Sequence, residues 1–268
     1  MLRPCRDTIA IIRTMAQPTP NPAVTIDVLL EDPRFVIVAK PPGVVTEPGL
    51  GHLRDSLMNG AFARWGPALA KLGEGRDHGL LHRLDRDSSG AIVIAFDAGA
   101  YDAIRAQFEA RTVRKRYLAI VQGKPPRGEG TIDVPLEEVR RGDMKVSIAD
   151  RRGGVGKPAV THWKTLDAGR GRSLLEVTII TGRLHQIRAH MAEIGCPVVG
   201  DRVYRVDLPP NTSALPKGRA APALALHALG LGFAHPETGV AVDVTCPVPA
   251  QFAQIAADSG LTLPRAVR

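Results

Sequence analysis

The sequence predicts an α+β fold, with a mixed, largely antiparallel central sheet and flanking helices. Three observations lead there. Short apolar runs rich in β-branched residues recur along the chain. Several of them follow one another as antiparallel pairs do, with helical stretches interspersed. No internal repeat or linker divides the 268 residues. Residues 23–268 therefore read as one domain, and residues 1–22 as a disordered tail ending in a Pro-rich run.

Taken in order, Val24 to Leu30 alternates toward an apolar face and reads as the first strand. Arg34 to Ala39 is a buried strand that ends in the rigid turn Lys40-Pro41-Pro42-Gly43. Leu53 to Leu72 carries a helical pattern, with Gly66-Pro67 as a point where it splits. Ala91 to Phe96 is a continuous apolar strand. Asp97 to Ala110 is a helix with Asp97 as its N-cap. Val113 to Val121 is a strand with a basic entry. Gly123 to Gly130 is a Pro/Gly loop.

Leu136 to Lys157 is rich in arginine and glycine, and Arg140, Arg141, Lys145, Arg151, Arg152 and Lys157 give it its charge. It reads as a basic hairpin arm for phosphates or as a solvated loop; the overall charge favours the arm. Val160 to Leu166 and Leu174 to Ile180 are strands. In the second, Leu175, Val177 and Ile179 face one way and Glu176 and Thr178 the other. After Thr181-Gly182 comes a helix whose buried stripe is Leu184, Ile187, Met191 and Ile194. Its start is an anion site in waiting. Arg188 flanks the stripe and needs an anionic partner, while His185 and Gln186 face away. Asn211 to Ala221 is a loop, Leu224 to Phe233 and Val240 to Val244 are strands, and Ala250 to Ala257 is a short helix.

Composition bounds the function. Hydrophobic residues make up 44% and aromatics 4%, so a full core is built mainly of Leu, Val, Ile and Ala. The net charge of +8 favours a polyanionic partner, though a soluble enzyme of a basic proteome has the same balance. Cys5, Cys196 and Cys246 are isolated, with no CxxC pair or His/Cys cluster, so neither a zinc site nor a disulfide framework is expected. A reducing cytoplasm follows. No apolar run reaches the roughly 20 residues that span a bilayer. The first residues lack a signal-peptide core, and Met15 is an alternative start.

The stretch Leu81 to Phe96, LHRLDRDSSGAIVIAF, organises the rest. Charged residues Arg83, Asp85, Arg86 and Asp87 precede a buried strand, with Ser88-Ser89-Gly90 as the turn between. A rigid strand holds such a loop still, as chemistry requires. The same residues also suit a plain surface turn.

Several motifs together resemble one family, the RluA-type pseudouridine synthases. They are FVIVAKPPG at Phe35 to Gly43, HRLDRDSSG at His82 to Gly90, Lys115-Arg116-Tyr117, and TGRLHQIRAH at Thr181 to His190. GCPVVGDRVY at Gly195 to Tyr204 and the segments Leu226-His227-Ala228 and Phe233 to Pro236 complete them. Ser88 stands where the family usually has threonine, which keeps the hydroxyl. The resemblance runs from about Ile26 to Pro249 and implies a pseudouridine synthase catalytic domain with a central cleft.

It implies that the protein is an isomerase acting on uridines in structured RNA, ribosomal or transfer, with no cofactor and no metal. Asp85 would be the essential carboxylate, attacking C1′ or removing the C2′ proton. Independently of the resemblance, Arg188 needs an anion and Asp85 an orienting cation, so a direct contact on the cleft floor is expected; by the resemblance Tyr117 would stack on the base, and Leu226 would line the pocket. Arg83 would fill the stack left by the flipped base. Lys40, Arg183, His185 and the arm with Arg151, Arg152 and Lys157 would grip phosphates. Asp87 is the rival carboxylate. The expected protein is a cytoplasmic monomer without membrane contact. The competing reading is a catalytically silent RNA-binding or RNA-folding factor of the same fold.

Overall fold

The structure, a computed structural model, describes residues 16–142, 144–205 and 223–265. Most of the expected tail and the Asn211 to Ala221 loop lie outside these residues. Strand β1 (Asp27–Glu31) is followed by β2 (Phe35–Lys40), helix α1 (Leu57–Leu72), a 3-10 segment (Glu74–Gly79), β3 (Ser89–Ala95), α2 (Ala98–Glu109) and β4 (Arg114–Gln122). Then come β5 (Glu129–Asp133), β6 (Leu136–Arg141), β7 (Met144–Ala149), β8 (Val160–Gly169), β9 (Arg172–Ile179) and α3 (Gln186–Glu193). Strands β10 (Leu226–Ala234) and β11 (Ala241–Thr245) and helix α4 (Ala250–Asp258) complete the described chain.

The central sheet runs in the order β1-β2-β3-β10-β4-β9-β8-β5, with β11 paired to β10. All its pairs are antiparallel except β3 with β10, which run parallel through His227–Ser89 and Ala228–Gly90. The expected mixed, largely antiparallel sheet is present. Strands β6 and β7 form a separate hairpin.

Period-two burial explains the layers. Val36, Val38, Ile92 and Ile94 pack under Leu57, Met58, Ala61 and Phe62 of α1. Their alternates Phe35, Ile37, Ala91 and Val93 pack with Tyr101 and Ile104 of α2. Beyond β10, Leu118, Ile120, Leu175 and Val177 form a second core with Ile187 and Met191 of α3 and Phe252 and Ile255 of α4. No described helix is long and apolar enough to cross a membrane.

Several boundaries move. Helix α1 starts at Leu57, because Ser56 and Asn59 close a reciprocal capping box there. Leu53 stays outside the helix and exposed. The kink falls at Trp65, two residues before Pro67, where a proline ring disrupts the preceding turn. The turn expected at Ser88-Ser89-Gly90 lies earlier, closed by Ser88 N–H on the Asp85 carbonyl at 3.1 Å. Ser89 and Gly90 already belong to β3. Gly90 has φ +126, and a Cβ there would come within 2.3 Å of the Ala228 carbonyl oxygen, so only glycine fits the parallel seam.

Helix α3 begins at Gln186, so Leu184 falls before it and Ile194 caps its end. The tail boundary also shifts. Asn59 donates to the Thr19 carbonyl at 2.7 Å and Asn21 to the Arg54 carbonyl at 2.6 Å, so these residues pack on the domain.

Candidate active site

Asp85 sits on the loop that enters β3, and the turn after β2 clamps that loop. Thr46 Oγ1 donates to the Leu84 carbonyl at 2.9 Å and accepts the Leu84 N–H at 3.1 Å. Gly43 N–H donates to the Arg86 carbonyl at 2.8 Å. Lys40 Nζ donates to the carbonyls of Pro41, Val44 and Arg86 at 2.9, 2.6 and 3.0 Å. The KPPG and HRLD segments are thus one unit.

This corrects the expected phosphate role of Lys40. Its side chain is 1% exposed, and all three of its donors are spent on carbonyls. Burial pushes its pKa down to about 7, against the charges of Asp85 and Asp87, which raise it. It is an internal strut, and the apolar run before it (β2) carries it inward.

Arg188 reaches Asp85 from the far half of the sheet. Its Nη1 donates to Asp85 Oδ2 at 2.7 Å. Its Nε and Nη2 donate in a fork to Asp201 Oδ2 and Oδ1 at 2.7 and 3.0 Å. Burial alone would push the Arg188 pKa down, but bonding and charge from Asp201 and Asp85 outweigh it and raise it. Asp201 is buried too, which works upward, yet Arg188 and the N–H groups of Val203 and Tyr204 pull its pKa below the ordinary carboxylate value. Two carboxylates against one guanidinium leave one negative charge in excess at the cleft floor.

Around this pair lies a cleft of about 230 Å³, lined by Arg83, Tyr117, Arg183, His185 and Leu226 besides Asp85 and Arg188. Burial, then the charge of Asp85, raises the Tyr117 phenol pKa and keeps it protonated. A wider groove of about 950 Å³ continues past Arg83 between the loop at Glu47–Leu50 and Glu138 and Lys145 of the hairpin. Arg83 is exposed and pairs with Glu47 at 2.6 Å. Arg183 donates to the Pro158 carbonyl at 3.1 Å. Arg151, which pairs with Glu193, and Arg152 and Lys157 are exposed beside the hairpin and do not line the cleft. Asp87 is exposed and also lies outside it.

Gln186 differs from expectation. It is 3% exposed and bonds Thr181 Oγ1, the Arg183 N–H, the Val160 carbonyl and Thr161 Oγ1. It ties α3 to β8 instead of facing solvent. His185 precedes the helix with φ 52 and no side-chain cap bond. Its ring is half-buried, with Nδ1 3.1 Å from the Tyr204 hydroxyl and Nε2 3.8 Å from Asp85 Oδ1.

Asp201 and Tyr204 have no role in the sequence reading. A signal was present: a buried arginine calls for acids, and Asp201 stands in a Gly-Asp turn whose carboxylate takes the next N–H groups. Among the described residues no three or more His, Cys, Asp or Glu side chains gather as metal ligands would.

Comparison with known proteins follows this geometry. A family model described as RNA pseudouridylate synthase matches residues 34–193. An uncharacterized RNA pseudouridine synthase of Synechocystis is 35% identical over 232 residues, covering 87% of this chain and 68% of that protein. Ribosomal large subunit pseudouridine synthase D of Xylella fastidiosa is 37% identical over 255 residues, covering 92% of this chain and 72% of that protein. The solved structure of human RNA pseudouridylate synthase domain containing 4 superposes with a TM-score of 0.70 at 25% identity, over 89% of this chain and 95% of that one.

Proposed function

The chain belongs to the RNA pseudouridylate synthase family, of the RluA type, and from that premise we propose that it converts uridines of large-subunit ribosomal RNA to pseudouridine with Asp85 as the essential carboxylate. The ribosomal substrate is inferred from the Xylella relative, a ribosomal large subunit pseudouridine synthase D; transfer RNA is the alternative. The cytoplasm is the proposed compartment.

The observation that carries the reading is the Asp85–Arg188 pair at 2.7 Å in a cleft shared with Tyr117 and Leu226. Isomerisation needs one ionised, aimed carboxylate to open the N1–C1′ bond, a pocket in which the freed uracil turns, and rejoining through C5. Arg188 holds Oδ2 and leaves Oδ1 beyond hydrogen-bond reach of His185 Nε2, at 3.8 Å. That oxygen is the one offered to the ribose, as nucleophile at C1′ or as base at C2′. Tyr117 and Leu226 supply a stacking face and an apolar wall. Arg83 and Arg183 at the rim favour a phosphodiester path into the cleft.

The test is turnover of uridine-containing ribosomal RNA, read as tritium released from C5, with a chelator present and the RNA prefolded. Wild type should turn over. Asp85→Asn should fall below detection while binding RNA with wild-type affinity, because shape is kept and charge is lost. Asp87→Asn should keep substantial activity. Equal turnover by Asp85→Asn and wild type sinks the assignment. Binding without turnover by wild type supports the silent RNA-binding factor.

A further inference from the structure

Tyr204 stands where three parts of the molecule meet. Its ring is 8% exposed. The Arg188 guanidinium lies over that ring, 5.3 Å from its centroid. The His185 ring meets it edge-on at 5.7 Å and 89°. Its backbone N–H donates to Asp201 Oδ1 at 3.0 Å. Its hydroxyl accepts the N–H of Ser147, in β7 of the basic hairpin, at 2.8 Å.

The bonds at that hydroxyl determine where a proton lies. With the oxygen already accepting from Ser147, its own proton goes to His185 Nδ1, 3.1 Å away. Were Nδ1 protonated instead, the phenol proton would have no acceptor among the described bonds. His185 therefore carries its proton on Nε2, the nitrogen 3.8 Å from Asp85 Oδ1. Burial lowers the His185 pKa more than Asp85 raises it, which keeps the ring neutral near pH 7. The backbone of His185 is left-handed, at φ 52, a conformation rare for a residue with a side chain. The structure holds that strain where the ring bridges Tyr204 and Asp85.

We propose that Tyr204 is a positioning residue whose hydroxyl couples the seat of the β6–β7 hairpin to the alignment of Asp85 through His185. The inference rests on the reading of this cleft as the uridine-isomerising site. When RNA presses the hairpin home, the Ser147 N–H fixes the hydroxyl, the hydroxyl fixes the His185 tautomer, and the Nε2–H faces Asp85 Oδ1 across 3.8 Å, where its dipole orients the carboxylate without bonding the oxygen offered to the ribose. A hairpin off its seat frees the hydroxyl to rotate and His185 to turn. Turnover, and not RNA affinity, is what this contact controls.

The test compares wild type, Tyr204→Phe, His185→Ala, His185→Gln and the Tyr204→Phe/His185→Ala double variant, all as full chains. Phenylalanine keeps the ring over Arg188 and removes only the hydroxyl. Tyr204→Phe should lower kcat roughly tenfold to a hundredfold, with KM and RNA affinity within about twofold of wild type. Nitrogen-15 spectra should show His185 as the Nε2–H tautomer in wild type and lose that signature in Tyr204→Phe. His185→Gln, whose amide can place an N–H near the Nε2 position, should retain more activity than His185→Ala. The double variant should be no slower than His185→Ala, since both changes cut one relay.

An unchanged kcat in Tyr204→Phe, or losses that multiply in the double variant, overturns the proposal. So does a kcat that falls only in proportion to the folded fraction. If wild type itself releases no tritium, the functional reading fails, and a His185 spectrum unaltered by Tyr204→Phe would still refute the relay on its own.

Discussion

Arg188 gives Asp201 a fork of two N–H groups and Asp85 a single one. The guanidinium is thus anchored on a fully buried carboxylate and lends its remaining edge to a partly open one. Asp201 aims Arg188, and Arg188 aims Asp85.

Arg188→Lys keeps the charge but cannot span two carboxylates in one plane. It should lower turnover by at least about tenfold while changing RNA affinity little. Single-turnover rates beside binding isotherms check this, and an affinity loss as large as the rate loss contradicts it.

Asp201→Asn leaves Arg188 short of its anchoring charge inside the protein. Unpairing a buried ion in this way costs about 3–5 kcal/mol, so urea midpoints should fall. The pH dependence has a defined sign. The folded pKa of Asp201 is depressed, so its stabilisation is present above the unfolded carboxylate value near 3.9 and lost as pH falls through the lower folded value. The difference in stability between wild type and variant should therefore shrink in acid, and a difference that is flat with pH refutes the pairing.

Lys40→Met fills the same volume and takes their donor from the Pro41 and Val44 carbonyls, while the Arg86 carbonyl keeps the Gly43 N–H. Each orphaned buried acceptor costs about 1–3 kcal/mol, so a large drop in melting temperature should accompany a loss of turnover. The salt dependence of RNA binding should not change. A flatter salt slope would restore Lys40 to a phosphate contact.

Arg151 and Arg152 are exposed beside the hairpin, clear of the cleft. If the arm grips RNA, log affinity falls with log salt by roughly 0.7 to 0.9 per phosphate neutralised. Changing both arginines to alanine should flatten that slope by about one such increment each. An unchanged slope makes the segment a solvated loop.

Strand existence was legible because β2, β3 and β9 carry apolar runs or clean alternation, which the sheet simply buries. The Asp97 cap was legible because capping is local, and its carboxylate accepts the Ala100 N–H at 2.9 Å. The Asp85–Arg188 contact could be foreseen from complementary needs joined to motif order. The fate of Lys40 could not, since a cation after an apolar strand reads the same whether it leaves for solvent or folds back onto carbonyls. Gln186 failed for a related reason: helical facing assumes the helix starts at Leu184, and it starts two residues later. Asp201 carried a local signal in its Gly-Asp turn, but the bond from Tyr204 to Ser147 joins residues far apart in the chain, which no local pattern encodes.

Strand β10 is inserted between β3 and β4, though it comes long after both in the chain. During synthesis, β1, β2 and β3 emerge early, and β4, β5, β8 and β9 follow as a second sheet. Each has an open edge until Leu226–Ala234 arrives to join them. Asp85 rides on the first sheet, and Tyr117 and Arg188 belong to the second. A nascent chain halted before β10 therefore has Asp85, Tyr117 and Arg188, the side chains proposed for catalysis, without the strand that joins the two sheets carrying them. Until β10 arrives, the β3 and β4 edges it pairs are open, and unpaired edges of this kind favour wrong pairing.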